Sequence, residues 1–115
     1  MTAKYWTPAE LLTLTGSYWA SCTLHAAVKL DLFTPLTVRP LTATELAGQR
    51  GLSTRGLAML LDALTALELI NKQGQHYKAT PFAAEFLNRS ASGYLGHIIL
   101  HHHHLVESWA RLDEA

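Results

Sequence analysis

Between residues 41 and 66 the apolar positions recur at helical spacing in two blocks, and each block opens with the signals of a helix start. Thr42 and Glu45 stand at capping-box spacing, in which the Thr hydroxyl accepts a backbone N–H three residues on and the carboxylate accepts the backbone N–H of the Thr. Ser53 has the side chain of a second N-cap. Gly51, between the blocks, supplies the conformational freedom of a tight turn. The pattern predicts two helices joined by that turn.

A β-hairpin is predicted directly after these helices. Two short runs, Leu69–Lys72 and Gln75–Ala79, flank Gly74, a residue type that hairpin turns favour. Helix, turn, helix and hairpin in this order predict a winged helix-turn-helix over residues 41–79. The expected fold is therefore mainly α, with a small β-hairpin wing and additional helices before and after it.

The N-terminal 33 residues carry more apolar side chains than one helix face can hold. Pro8–Leu14 has the pattern of a short helix, and Ser17–Leu32 has that of a longer one with apolar residues on two sides. We expect one side to pack on the winged helix and the other on a second copy of the chain, and the alternative is a central helix within a monomer. The interface residues expected here are Trp19, Cys22, Ala26, Leu30 and Phe33.

Residues 80–115 repeat this apolar surplus at the other end of the chain. Thr80 before Pro81 is a start signal for a short helix, Pro81–Leu87, and a polar break follows it. From Tyr94 onward the pattern is again helical, with one broad apolar arc and no stop signal, which is typical of a sequence cut from a longer polypeptide. The interface residues expected here are Tyr94, Ile98, His102, Leu105 and Trp109.

Four consecutive histidines, His101–His104, interrupt this last apolar arc. Neighbouring side chains on a helix point about 100° apart, so the run cannot converge on one metal ion. His97, His101 and His104 share one side, yet no Cys, Asp or Glu stands where it would complete a tetrahedral site. We therefore predict no metal site, and we assign His102 to the expected interface.

The charge pattern argues against a nucleic-acid partner. Nine Lys and Arg residues balance nine Asp and Glu residues, whereas a DNA-binding module needs a basic face. The helix in the recognition position has one cation at its start, Arg55, and continues through Asp62 and Glu68, which repel phosphates. The cations of the hairpin are typical of a solvated loop. No binding to nucleic acid is expected.

Composition indicates a partner for part of the apolar surface. Hydrophobic residues form 49% of the 115 residues and charged residues only 16%, although so short a chain has an unfavourable surface-to-volume ratio. Cys22 is the single cysteine, which fits a reducing compartment. The first residues show no secretory signal, and polar residues interrupt the apolar stretches before membrane-spanning length. We expect a cytoplasmic protein with no membrane partner.

Four segments together carry a family resemblance: LHAAVKLDLFTPL, TATELAGQRGLSTRGLAMLLDALTALELI, YKATPFAAEFL and LVESWARLDEA. In this order they resemble the N-terminal dimerisation domain of the S-adenosylmethionine-dependent small-molecule O-methyltransferases, a family that includes caffeic acid and hydroxyindole O-methyltransferases. The resemblance spans essentially the whole chain. It implies one domain over residues 1–115, in which helices of residues 1–33 and 80–115 intertwine with those of a second copy to form a homodimer.

The resemblance also implies what this chain lacks. In that family a Rossmann-like catalytic domain binds S-adenosylmethionine and a small acceptor, here an aromatic or polyketide-like hydroxyl compound. No glycine-rich strand–loop–helix and no βαβ alternation occurs in the sequence, so we assign no catalytic residue and no bound cofactor to this chain. An enzymatic activity would belong to the parent polypeptide.

The resemblance implies that this chain makes one contribution to an active site. The family places residues near the start of the long N-terminal helix in the partner's substrate pocket, and these correspond by position to Ser17, Tyr18 and Trp19. Core packing of the same rings is the alternative role. The alternative function for the chain as a whole is that of a small dimeric winged-helix transcription regulator that binds DNA.

Overall fold

The structure is a computed structural model that describes residues 3–115. Its helices are α1 (Pro8–Thr15), α2 (Tyr18–Lys29), α3 (Phe33–Val38), α4 (Ala43–Arg50), α5 (Thr54–Ala66), α6 (Pro81–Phe86) and α7 (Gly96–Ala110), and a short 3₁₀ turn, Leu112–Glu114, follows α7. Its strands are β1 (Leu41–Thr42), β2 (Ile70–Gln73) and β3 (His76–Ala79). The fold is mainly α, as predicted.

The winged helix-turn-helix forms where the sequence places it. The backbone N–H of Glu45 donates to the Thr42 hydroxyl at 3.1 Å, and the N–H of Thr42 donates to the Glu45 carboxylate at 3.1 Å. The Ser53 hydroxyl accepts a backbone N–H of α5 at 3.3 Å. Gly51 and Gly74 have φ values of +65° and +61°, in the left-handed region that glycine adopts without steric cost. These local predictions are confirmed.

The sheet has one strand more than the predicted hairpin. Its order is β1–β3–β2 and both pairings are antiparallel, with Leu41 opposite Tyr77 and Ile70 opposite Ala79. Strand β1 is only two residues long and runs directly into the cap of α4. A strand of this length shows no alternating pattern in the sequence, so only its pairing with β3 reveals it.

The long N-terminal helix is shorter than predicted and ends at Lys29 instead of Leu32. Asp31 takes a left-handed conformation with φ of +51°, which asparagine and aspartate adopt more readily than most residues. Arg50 donates to the backbone carbonyl of Asp31 at 2.9 Å, and the Thr34 hydroxyl donates to the Asp31 carboxylate at 2.6 Å. These bonds hold the turn that separates α2 from α3.

Helix α3 follows this turn, and it corrects one expected interface residue. Phe33 is the first residue of α3, and its side chain is fully buried in the core of its own chain. The prediction that Phe33 faces a partner is wrong. The predicted helical face continued through residues 30–33 without a break, whereas the left-handed turn redirects the chain there.

The core lies between the C-terminal half of α2, helices α3 to α6 and one face of the sheet. Its largest fully buried side chains are Phe33, Leu32, Leu36, Leu41, Leu46, Leu61, Leu64 and Ile70. Helix α2 packs against α5 and also against α7, whose Ile99 and Leu100 border the core. The C-terminal half of α2 is therefore central within the monomer, whereas its N-terminal half is exposed.

Helix α7 begins at Gly96, two residues later than predicted. The ring of Tyr94 lies 1.9 Å from the position that a Cβ on residue 96 would occupy. A side chain at this position would require the Tyr94 ring to move. None of the helices within residues 3–115 is long and apolar enough to cross a membrane.

Candidate functional site

Large hydrophobic side chains remain exposed near both ends of the described chain. Their exposed fractions range from 39% at Leu105 to 83% at Tyr5. Isolated exposed hydrophobic residues are ordinary, but many of them on neighbouring elements mark an interaction surface. We call them the exposed apolar set: Tyr5, Trp6, Leu11, Leu12, Leu14, Tyr18, Trp19, Leu95, Ile98, Leu105, Trp109 and Leu112.

Helix α1 contributes much of this exposure, since none of its residues is buried. It starts with a complete capping box between Thr7 and Glu10 and with Pro8 in its first turn. Helices shorter than about 12 residues are marginal in water without a packing surface. The radius of gyration of the chain is 16.6 Å, compared with about 13 Å for a compact domain of this length. Helix α1 is an arm that buries none of its residues against the part of the chain that the structure describes.

A groove runs between the N-terminal half of α2 and the C-terminal half of α7. Its volume is about 620 Å³, which is within the usual range for small-molecule sites. No charged side chain of the described residues lines it. An uncharged ligand with flat apolar faces matches these walls, because the polar groups of the lining residues are hydroxyls, one thiol and one indole N–H. The lining residues are Ser17, Tyr18, Ser21, Cys22, Val106, Trp109 and Ala110.

Two of the three residues predicted to line a substrate pocket border this groove, namely Ser17 and Tyr18. Trp19 does not border it. The Trp19 indole lies over Gly16 and contacts the Tyr18 ring edge to face, with 5.8 Å between the ring centroids. Tyr18 and Trp19 are both more than half exposed. Neither is a core residue of the monomer, so both rings are available to a partner.

The remaining predicted interface residues divide into two groups. Trp19, Ile98, Leu105 and Trp109 belong to the exposed apolar set, and His102 is exposed beside them on α7. Four others are half-buried within the chain: Cys22, Ala26, Leu30 and Tyr94. Leu30 also packs against the core of its own chain. The exposed group is therefore the better candidate for a contact with another molecule.

The histidine run of α7 separates into exposed and packed members. His101, His102 and His104 are exposed, whereas His103 is half-buried and meets the ring of His25 at a centroid distance of 5.5 Å. No group of three or more potential metal ligands occurs within residues 3–115. The sequence analysis assigned no role to His25, although its side chain is only 7% exposed.

One cation on the possible nucleic-acid face of the winged helix is paired with a carboxylate. Arg55 is exposed in the first turn of α5. In the wing, the ammonium group of Lys72 donates to the Asp62 carboxylate at 3.0 Å, and the Tyr77 hydroxyl donates to the same oxygen at 2.6 Å. The bond from Tyr77, followed by that from Lys72, lowers the pKa of Asp62 below its usual value. Lys72 is thus engaged with a carboxylate instead of being free for phosphate.

Residues 12–89 match the family model described as the O-methyltransferase dimerisation domain. The chain belongs to this family. The match covers α2 to α6, the sheet and the end of α1, and it stops before α7. The exposed apolar set therefore lies mostly on the helices at and beyond the ends of the matched region.

Two curated relatives from Streptomyces show similarity along nearly all of this dimerisation domain. The tetracenomycin polyketide synthesis 8-O-methyl transferase TcmO of Streptomyces glaucescens is 41% identical over 110 residues, which are 94% of this chain and 32% of the relative. The N,N-dimethyltransferase OxyT of Streptomyces rimosus is 41% identical over 109 residues, which are 92% of this chain and 31% of the relative. The chain thus spans about a third of each relative's length.

The solved structure of PigF with SAH shares the fold. It superposes with a TM-score of 0.88 at 23% identity, over 96% of this chain and 33% of that one. At this level of identity the likeness concerns the fold alone. The superposition covers 96% of this chain, so the shared fold extends beyond the matched residues 12–89.

Proposed function

We propose that this chain is the dimerisation and pocket-lining part of an S-adenosylmethionine-dependent methyltransferase that acts on a small aromatic or polyketide-like hydroxyl compound. Membership of the dimerisation-domain family supports the first half of this proposal. The O-methyltransferase TcmO, which is named for polyketide synthesis, supports the acceptor class. OxyT is equally similar and is named for N-methylation, so the acceptor atom needs its own test.

The main support for a homodimer is an excess of solvent-exposed surface. The chain has a solvent-accessible area of 7981 Å² at a mass of 12.7 kDa, compared with about 6,200 Å² for a compact monomer of that mass. Permanent dimers bury roughly 2,000 Å² or more in total, and their interfaces are strongly apolar. The exposed apolar set supplies surface of this kind, and α1 requires a packing partner. A homodimer satisfies both.

The groove between α2 and α7 supports a role in acceptor binding. Tyr18 and Trp109 offer aromatic faces to a planar ring system, and the hydroxyl of Ser21 is among the polar groups at the rim. In the proposed enzyme Ser17, Tyr18 and Trp19 reach the partner's pocket and exclude water, and they orient the acceptor so that its oxygen meets the methyl group in line. They transfer no proton.

We assign the binding of S-adenosylmethionine to a domain outside this chain. The PigF structure contains SAH, and its chain is about three times as long as the part that superposes here. The two positive-φ glycines of the described residues, Gly51 and Gly74, form a helix end and a hairpin tip. Neither lies at a strand–loop–helix junction that would cradle a nucleotide, so the residues present do not fit the cofactor.

Sedimentation equilibrium of the 115-residue chain at micromolar concentration tests the dimer. A mass near twice 12.7 kDa is expected, and a clean monomer would contradict the proposal. Acceptor binding is tested in the parent polypeptide with Tyr18→Ala, which should raise the KM for the acceptor and leave cofactor affinity unchanged.

The matched control for this variant is Phe82→Ala, because both side chains are 57% exposed and Phe82 lies on α6, away from the groove. The control should leave the KM for the acceptor unchanged. A Tyr18→Ala enzyme that stays dimeric with the same acceptor kinetics as the wild type would contradict the lining role. Comparing hydroxyl and amine acceptors of one ring system identifies the methylated atom.

A further inference from the structure

His25 is an unusual residue of the packed interior. Its side chain is 7% exposed, and its Nδ1 atom has no hydrogen-bond partner. Within residues 3–115 no other buried side-chain nitrogen or oxygen lacks a partner. Buried polar atoms are nearly always paired, so an unpaired one indicates a role that packing alone does not explain.

This imidazole lies in the contact between α2 and α7. The rings of His25 and His103 meet edge to face, at 5.5 Å between centroids and 72° between planes. One helical turn away, Cys22 on α2 and Val106 on α7 line the groove described above. The histidine pair therefore lies at one end of the groove, in the contact that holds this part of α7 against α2.

No carboxylate of the described residues is among the groups that act on the charge of His25, and Glu107, one turn after His103 on α7, is exposed. On α7, His102 and His103 both disfavour the protonated form of His25. On α2 the nearest charged residue along the helix is Lys29, one turn further on, which has the same sign. On α5, the other helix packed on α2, the ionisable residues are Arg55, which is exposed, and Asp62, which is bonded to Lys72 and Tyr77.

Burial, followed by the neighbouring His103 and His102, lowers the pKa of His25 below its ordinary value. The unfolded or opened chain therefore binds a proton at a pH at which the packed chain does not. This difference in proton binding determines how the stability of the packed form changes with pH. The stabilising effect of the neutral packed form is complete above the ordinary histidine pKa of about 6.5, and it is lost as the pH falls from there towards the lower native value.

We propose that the His25–His103 contact is a pH-sensitive latch that keeps α7 packed on α2 while His25 is neutral and releases α7 when His25 takes up a proton. Release separates Val106 and Trp109 from Tyr18 and Cys22, and the groove is lost with it. The latch itself is a property of this chain alone. Its consequence for acceptor binding and for the dimer rests on the proposed function.

The test follows His25 and α7 in the same sample of the 115-residue chain. Histidine ring resonances are titrated by NMR from pH 8 to pH 4, and amide exchange, corrected for the intrinsic effect of pH, reports the protection of each helix. We expect α7 amides to lose protection together with protonation of His25, by up to about tenfold per pH unit for one linked proton. Amides of α5 should keep theirs.

Two variants separate the latch from a general effect of acid. His25→Leu keeps an apolar side chain in the contact and removes the titration, so α7 should remain protected throughout the acid range. His101→Leu removes an exposed histidine of the same helix and should leave the acid transition unchanged. Where His25→Leu fails to fold, the wild-type titration decides alone: α7 amides that stay protected while the His25 ring protonates overturn the proposal.

Sedimentation at each pH distinguishes the latch from the proposed dimer. Loss of α7 protection in a chain that remains dimeric supports the latch and contradicts the place of α7 in the interface. Dissociation of the dimer with α7 still protected and His25 protonated overturns the latch. A His25→Leu chain that releases α7 at the same pH as the wild type overturns it as well.

Discussion

The winged helix of residues 41–79 and the arm helix α1 start with the same local signal and end in opposite environments. Both Thr42 and Thr7 head a complete capping box. Helix α4, which follows Thr42, buries Leu46 and Ala47, whereas α1 buries nothing. A cap fixes where a helix begins, because it involves only four consecutive residues. What the helix packs against is set by the rest of the molecule.

The two regions also differ in what their apolar residues accomplish. In the winged helix Leu57, Leu61 and Leu64 face inward from one side of α5 and stabilise the monomer. In α1 and at the start of α2, residues just as apolar remain in contact with water. Since monomer stability comes from the first group, substitutions in the two regions should affect different measurements.

The largest expected effect is in the core of the winged helix. Leu61→Ala removes a fully buried side chain and should lower the free energy of unfolding by about 2 to 5 kcal/mol, through lost burial and the cavity that remains. Met59→Ala on the same helix is the control, because Met59 is 66% exposed, and it should change the value by less than about 0.5 kcal/mol. Urea denaturation followed by circular dichroism measures both, and equal effects would contradict this assignment of the core.

The second effect concerns association. Trp19→Asp introduces a charge into the exposed apolar set and should weaken the dimer by about 2 kcal/mol or more, the scale of an interface hot spot. The fold of the monomer should persist, because Trp19 is 67% exposed. Val38→Asp, on the separate helix α3, is the control, because Val38 is also largely exposed, and it should leave association unchanged. Sedimentation equilibrium measures both, and an unaltered dimer in Trp19→Asp would exclude the start of α2 from the interface.

A smaller effect is expected where the wing joins α5. Tyr77→Phe removes the hydrogen bond to Asp62 and should lower the free energy of unfolding by about 1.5 kcal/mol at neutral pH. Because that bond lowers the pKa of Asp62, its contribution is present above the ordinary aspartate pKa of about 3.9 and is lost as the pH falls through the lower native value. The stabilities of variant and wild type should therefore converge in acid. A constant difference down to pH 2 would contradict the coupling.

The two capping boxes provide the sharpest form of the comparison. Thr42→Ala should lower the free energy of global unfolding by about 1 kcal/mol, the usual value for an N-cap. Thr7→Ala removes the same hydrogen bond from α1, and under conditions where the chain is monomeric it should leave global unfolding unchanged. Denaturation at low protein concentration measures both. Equal losses would mean that α1 packs on its own chain.

The smallest expected effect is on binding to DNA. The 115-residue chain should bind duplex DNA with a dissociation constant no lower than about 10⁻⁶ M at physiological salt, which is in the range of non-specific attraction. Arg55→Ala should change this dissociation constant little. Fluorescence anisotropy with random and genomic duplexes measures it. Nanomolar binding to one sequence, lost in Arg55→Ala, would favour the transcription regulator over the proposed function.

Sequence reasoning worked best where one or a few neighbouring residues determine the conformation. The caps at Thr42, Ser53 and Thr80 and the left-handed glycines at positions 51 and 74 are all of this kind. The hydrogen bonds that define the caps join residues three positions apart. The family resemblance added the order of these pieces along the chain, which no single motif carries.

Sequence reasoning failed where a distant residue fixes the local conformation. The turn at Asp31 also receives a hydrogen bond from Arg50, which is 19 positions away, and the apolar pattern, which continues to Phe33, gives no sign of that contact. Strand β1 exists only through its pairing with β3. His25 is buried because α7 returns alongside α2, and the hydrophobic pattern of α2 alone does not show that contact.

The sequence by itself determined the capped helix starts, the hairpin, the mainly α fold and the surplus of apolar residues at both ends, because these depend on local hydrogen bonding and on composition. Only the tertiary structure decided which apolar residues are buried within the monomer. It assigned Phe33 to the core, left α1 with no buried residue and placed His25 against His103. The physical reason is that burial depends on which elements meet in space, and contacts between residues far apart in the chain have no periodic signature.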